Sequence, residues 1–167
     1  EDLIDCLVQK LIQNSFNIYS GNGRGLGEIV VAQVNKHNAE KHFVNRPLIF
    51  TNDTNEEKDV KNRLIMKDCD TMIVVGGQDE SLTSSKNVIN QYFTFVNNSE
   101  GKKYPLVIPI PSTGYAAQEI FNSEEFRHSN VFQTNQKLFT ELGNTTEIEY
   151  IVHLLVNLIM SYKTEKV

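Results

Sequence analysis

The chain has 167 residues, 40% of them hydrophobic and 22% charged, the balance of an ordinary globular protein with enough residues for a real core. Its net charge of −5 argues against a nucleic-acid binder, which needs a basic face, so any anionic ligand must be held by local features. No signal-peptide pattern and no membrane-length apolar run is read, and the two cysteines, Cys6 and Cys69, have no metal-ligand spacing; the expectation is a reduced cytoplasmic setting.

Leu3, Ile4, Leu7, Val8, Leu11 and Ile12 keep helical spacing, so the chain opens on an amphipathic helix that "NSF" ends. Because it starts inside a helix, the chain is expected to be a piece of a longer polypeptide. A short strand, "NIYS", leads into "GNGRGLG" at 21–27, and a helix runs on to about Asn38. "RPLIFT" at 46–51 predicts a second strand. "NDTNEEKD" predicts a capped helix start with acids in the first turn, and that helix reaches about Asp68. "TMIVVGG" at 71–77 reads as a central strand ending on two glycines. The helix after it, "KNVINQYFTFVNN", is expected to bury Val88, Ile89, Tyr92, Phe93 and Val96. "YPLVIPI" at 104–110 is the next strand, and a helix is expected to open at Ser112. The last helix runs from Glu147 to about Lys163, with Ile148, Ile151, Val152, Leu155, Leu158, Ile159 and Tyr162 on its apolar side.

Strands that are near-continuous apolar runs and alternate with helices predict an α/β, Rossmann-like parallel sheet with helices on both faces. Ligands in such sheets bind outside the carboxyl ends of the strands. Three turns of small residues fall there: Ser20 to Gly27, Gly76 to Gln78, and Ser112 to Tyr115. Strand, glycine loop and helix N-terminus together can cradle a phosphate, or can simply make a tight turn. The first loop is not a dinucleotide fingerprint, because Leu26 or Glu28 stands where the third glycine belongs, and no Lys-Ser or Lys-Thr follows as in a P-loop.

The helix at 55–68 supplies charge: Arg63 and Lys67 share a face, and Lys61 lies on the other flank of a Val60–Leu64 stripe. Such a helix suits a pyrophosphate or is a solvated face balanced by Glu56, Glu57 and Asp59. Arg24 folds over a phosphate or points to water. His37, His42, His128 and His153 have no partner at metal spacing. Ser112 and Thr113 are read as helix caps. Tyr115 either stacks on a base or packs in the core.

"IYSGNGRGLGEIVV" resembles the phosphate-loop segment of the SLOG superfamily, which joins the Smf/DprA and LOG proteins, and especially the sensor domains of Thoeris antiphage effectors. Their Ser-Gly-x-Gly-x-x-x-Gly loop is matched by Ser20, Gly21, Gly23 and Gly27. Their Arg-x-x-Met-Ile helix motif meets Lys61-Asn62-Arg63-Leu64-Ile65, and "LVIPIPSTGYAAQEIF" is similar to their "IPI…TGY-x-A-x-E-I". The likeness spans roughly residues 3 to 125. It departs at Lys61, which replaces an arginine and so loses a bidentate fork, with Arg63 two residues on as a substitute. It departs again at Gln91, where the family has a glutamate, and in the missing first strand.

The resemblance implies a single nucleotide-sensing domain over 1–167 that binds a cyclic ADP-ribose isomer made by a partner TIR protein and switches on an attached effector, often a sirtuin-like NAD hydrolase. It implies ligand contacts from Ser20, Gly21, Asn22, Gly23, Arg24, Gly25, Leu26 and Gly27, from Lys61 and Arg63, from Gly76, Gly77, Gln78 and Gln91, and from Thr113, Gly114 and Tyr115. No catalytic residue, metal or cofactor is expected. A homo-oligomer is, with no nucleic-acid or membrane contact, and the final helix is the candidate subunit contact unless it packs on its own sheet. The alternatives are a LOG-type nucleoside monophosphate phosphoribohydrolase, whose Pro-Gly-Gly-x-Gly-Thr-x-x-Glu segment is answered only by "VGGQDESLTS", and a non-catalytic oligomerisation domain.

Overall fold

A computed structural model describes residues 2–21, 25–46, 53–77, 84–97 and 105–164. The chain divides into two compact units, Glu1–Cys69 and Asp70–Val167, and each is a helix-wrapped parallel strand pair.

The first unit opens on α1 (Asp2–Gln13), which buries Ile4, Leu7, Val8 and Leu11 along one side. It stops without a glycine. Ser15 takes a left-handed φ of 58°, and the Phe16 amide reaches back to the Leu11 carbonyl at 3.0 Å, satisfying carbonyls that the helix end orphans. Strand β1 (Ile18–Gly21) follows, then the loop, then α2 (Leu26–Lys36). The second helix ends in the same way, with Asn38 at φ 50° and the Ala39 amide on the Val34 carbonyl. Strand β2 (Phe43–Arg46) pairs parallel with β1, Ile18 opposite Phe43 and Ser20 opposite Asn45. The second strand thus begins three residues before the predicted one. The rest of the predicted run, 47–51, lies outside the described residues.

Helix α3 (Asn55–Met66) starts as its sequence predicts. The Thr54 hydroxyl accepts from the Glu57 amide at 3.2 Å, and the Glu57 carboxylate accepts from the Thr54 amide at 2.7 Å. This reciprocal cap satisfies two orphan donors and holds the Glu57 carboxyl below its ordinary value. The expected apolar stripe is a correction: Val60 and Leu64 are exposed, and among the described side chains of this helix it is Asn62 that is buried.

Helices α1 and α2 are tied by Asp5, which accepts from Lys36 Nζ at 2.6 Å and meets His37 Nε2 at 2.6 Å. The Lys36 hydrogen bond first, and then that of His37, hold the Asp5 carboxyl below its ordinary 3.8. A depressed carboxylate stabilises the fold fully above its unfolded value and loses that contribution as pH falls through the folded one. The unfolding midpoint of Asp5→Asn is therefore expected to lie slightly below that of the wild type at neutral pH and to converge with it in acid. A gap that persists unchanged at about pH 2 would assign the effect to packing instead of charge.

In the second unit β3 (Thr71–Val75) and β4 (Leu106–Ile110) pair parallel, Thr71 with Leu106 and Val75 with Ile110, with α4 (Ser84–Asn97) between them in sequence. Every residue of β4 is buried, as its unbroken apolar run predicts. On α4 Tyr92 and Phe95 are buried while Phe93 is exposed. The inward line runs Val88, Tyr92, Phe95, and at 100° per residue Phe93 falls well off it.

Helix α5 (Tyr115–Asn122) is followed by three helices in a stretch for which the sequence suggested no element: α6 (Glu124–Arg127), α7 (Asn130–Thr134) and α8 (Gln136–Asn144). Ser123 and Ser129 cap α6 and α7 by accepting from the amides of Phe126 and Phe132, each at 3.2 Å. The same short pattern, serine then phenylalanine three residues on, thus starts a helix and drops a ring into the core twice. Phe121, Phe126, Phe132 and Phe139 form one aromatic cluster, with Phe126 and Phe139 edge to face at 5.2 Å. Helix α9 (Ile148–Thr164) packs on β4 and buries Ile151, Val152, Leu154, Leu155, Leu158 and Ile159. Its apolar stripe is therefore used within its own unit and is not free for a subunit contact.

Candidate functional site

In the first unit Ser20 and Gly21 end β1, and α2 begins at Leu26, so the glycine loop does join a strand to a helix N-terminus. Asn22, Gly23 and Arg24 lie outside the described residues. Gly25 has φ 77°, a left-handed backbone that glycine adopts without strain. Leu26 is exposed, and Gly27 is half-buried in the first turn. The Gly25 amide donates to the Glu28 carboxylate at 3.3 Å. An acidic side chain from the same helix thus sits where the helix dipole favours an anion. The cap that Glu28 completes is hard to read from sequence because it starts on glycine instead of serine.

The two expected cations of α3 face different ways. A two-residue step turns a helix by about 200°, so Lys61 and Arg63 project from opposite sides. Arg63 is exposed. Lys61 Nζ lies 2.7 Å from Asp53 Oδ2, and the two side chains are only 24% and 11% exposed. Arg63 therefore does not stand in for a cation at position 61, and the Lys61 charge is already matched within the protein. Lys61→Ala would leave the Asp53 carboxylate enclosed without this partner, at about 1–3 kcal/mol of stability, between the surface and buried limits for ion pairs. Arg63→Ala, on an exposed face, should stay within about 0.5 kcal/mol. Urea unfolding of the two variants checks this, and equal losses would contradict the pairing.

In the second unit the predicted residues come together closely. Gly76 and Gly77 leave β3 with φ of 57° and 105°, and Gly114 and Tyr115 enter α5 with φ of 77° and 51°. Gly77 has no room for a side chain: an added Cβ would lie 2.8 Å from the Ala116 Cβ and 3.0 Å from Val88 Cγ2. A left-handed φ is unusual for a tyrosine and costs of order 1 kcal/mol or more. Tyr115 is 57% exposed as a residue, so burial does not offset that strain. Packing in the core is excluded for it.

Thr113 does not cap the helix. Residues Pro111–Thr113 form a 3-10 turn, and α5 starts after Gly114 with no side-chain cap. The Thr113 hydroxyl instead accepts from the Gly76 amide at 2.7 Å and donates to the Ile110 carbonyl at 2.6 Å. The Gly76 carbonyl accepts from the Ala117 amide at 3.0 Å, satisfying a first-turn donor of α5. Gln91 is half-buried on α4, and Gln78 lies outside the described residues.

Three of the histidines meet groups of the protein: His37 meets Asp5, His128 the Glu124 carbonyl and His153 Asn157. Among the described residues no group of three or more His, Cys, Asp or Glu is placed to hold a metal ion, and no helix is long and apolar enough to cross a membrane.

Both sets of turns stand at the carboxyl ends of parallel strands, where α/β proteins take ligands. No curated protein matches the chain significantly. The family model for STALD, the Sir2- and TIR-associating SLOG family, matches residues 1–162. The chain belongs to that family, and its parallel strand pairs wrapped in helices are the α/β fold expected of a SLOG domain.

Proposed function

We propose that the chain is a sensor module that binds a cyclic ADP-ribose-type nucleotide made by a TIR-domain protein and passes its occupancy to an attached effector in antiphage defence. The observation that carries this is the match of residues 1–162 to a SLOG family that associates with Sir2 and TIR domains. A TIR protein as source and a Sir2-type NAD hydrolase as effector fit that association.

The local chemistry supports a nucleotide. The glycine-built turn leaving β3, with Gly76 and Gly77 at left-handed φ, brings backbone close to a ligand without intervening side chains. The exposed Tyr115 ring offers a flat face to a base. The module binds and releases its ligand unchanged, in the cytoplasm, and signals through differential affinity for two arrangements of its subunits.

The test is a thermal-shift screen of the purified chain against cyclic ADP-ribose isomers, followed by chromatographic recovery of the ligand and light scattering with and without it. A raised midpoint, intact ligand and a changed particle size are expected. Recovery of linear ADP-ribose or free base would replace the receptor with a LOG-type hydrolase. A flat screen would remove the nucleotide.

A further inference from the structure

Thr113 has one hydroxyl proton, and the structure shows where it goes. The Ile110 carbonyl can only accept and the Gly76 amide can only donate, so the roles of the hydroxyl are fixed: it donates to Ile110 and accepts from Gly76. No proton is left for a phosphate or ribose oxygen. The Gly76 peptide is meanwhile held from both sides, its amide by Thr113 and its carbonyl by the Ala117 amide of α5. The turn leaving β3 and the turn leaving β4 are thereby locked to each other.

Gly76, Gly77, Gly114 and Tyr115 all have left-handed φ, and for Tyr115 that conformation persists only where its surroundings over-determine it. Two bonds that link the turns to each other meet at the Gly76 peptide, while the Gly114 amide is held within its own turn by the Pro111 carbonyl at 2.9 Å. Removing the hydroxyl would free the Gly76 amide and the Ile110 carbonyl together and loosen the link between Gly76 and the start of α5.

We infer that Thr113 is a positioning residue: it gives no hydrogen bond to the ligand, and its hydroxyl holds the β3 and β4 turns as one preorganised surface on which the nucleotide lies. The inference rests on the receptor reading proposed above. It reverses the simplest expectation for a threonine beside Gly114 and Tyr115, namely direct contact with the ligand.

The test compares wild type, Thr113→Val and Thr113→Ser by amide hydrogen exchange at Gly76 and Ala117 without ligand, and by calorimetric titration with cyclic ADP-ribose. Thr113→Val is expected to lose protection at Gly76 and to bind at least about tenfold more weakly, the scale of one or two lost hydrogen bonds. Thr113→Ser keeps the hydroxyl and is expected to retain both. Should Thr113→Val not fold, Thr113→Cys carries the comparison, with protection and affinity both intermediate. Weakened binding with Gly76 still protected would overturn the inference in favour of direct contact. Lost protection with unchanged binding would overturn it too, leaving a structural clamp. If wild type gives no binding heat, the receptor reading falls and the ligand half of the inference with it, while the exchange data still decide whether Thr113 clamps Gly76.

Discussion

Phe139→Ala is expected to destabilise the second unit by about 3–5 kcal/mol, the usual range for removing a buried aromatic ring from a core. The ring is fully buried, stacked on Phe132 at 5.5 Å and edge-on to Phe126 at 5.2 Å. Three losses combine. The ring atoms lose their transfer from water, a cavity opens among rings that relax only in part, and two aromatic contacts worth about 0.5–1.5 kcal/mol each disappear. The hosts Ser123 and Ser129 would still cap α6 and α7. The helices would therefore persist locally while the centre they close upon is hollowed. Urea unfolding followed by circular dichroism measures the effect, with Phe139→Leu as a control expected to cost less because it leaves a smaller void. Against a typical domain stability of about 5–15 kcal/mol, the alanine variant should be visibly close to unfolding at 37 °C. A loss under about 0.5 kcal/mol would mean that the cluster contributes no more than a surface site.

The same cluster marks where the sequence is hard to read. Helices of four, five and nine residues are too short for a 3.6-residue period to show, so 123–146 gave no helical signal. A local signal was present in the two serine caps, each followed three residues later by phenylalanine. By contrast α1 and α9 are legible because each is a long run with one period, β4 because its apolar run is unbroken, and Thr54–Glu57 because a reciprocal cap is written into four consecutive residues. Faces are harder than elements. On α4 a one-residue step separates buried Tyr92 from exposed Phe93, and the pattern Val88, Ile89, Tyr92, Phe93, Val96 fits two overlapping stripes equally well.

At the candidate site the glycines were legible as positions and not as reasons. A glycine pair after an apolar strand signals a turn, but the left-handed φ of Gly76 and Gly77 and the closeness of Ala116 to Gly77 are three-dimensional facts. The Lys61–Asp53 pair was invisible for a related cause: Asp53 precedes the helix, so no helical spacing connects the two. Thr113 carried the opposite problem. Its place before a helix is a good capping signal, and the intervening Gly114 moves the helix start beyond its reach.

Gly77→Val is expected to be the most damaging single change among the predicted site residues, and the geometry separates it from its neighbour Gly76. At Gly77 two independent costs add. The backbone sits at φ 105°, where any side chain is strained by about 1–3 kcal/mol. A Cβ would also press on Ala116 at 2.8 Å and on Val88 at 3.0 Å, and overpacking of that kind costs about 1–3 kcal/mol more. Ala116 is fully buried in the first turn of α5 and has no rotamer through which to yield, so relief requires α4 or α5 to shift. Relief of the closer contact, at Ala116, moves the Tyr115 end of α5 away from the β3 turn, and nucleotide binding should be lost along with about 2–6 kcal/mol of stability. At Gly76 the nearest atom to an added Cβ is the Thr113 carbonyl oxygen at 3.8 Å, an ordinary contact, and φ is 57°, inside the left-handed region. Gly76→Ala should therefore cost only about 1–2 kcal/mol, from backbone strain alone. Unfolding midpoints for Gly77→Ala, Gly77→Val and Gly76→Ala, measured side by side with thermal shifts on added cyclic ADP-ribose, give the ordering. Equal costs at the two glycines would show that Ala116 and Val88 do not crowd position 77, and that the β3 turn meets α5 less closely than these distances require.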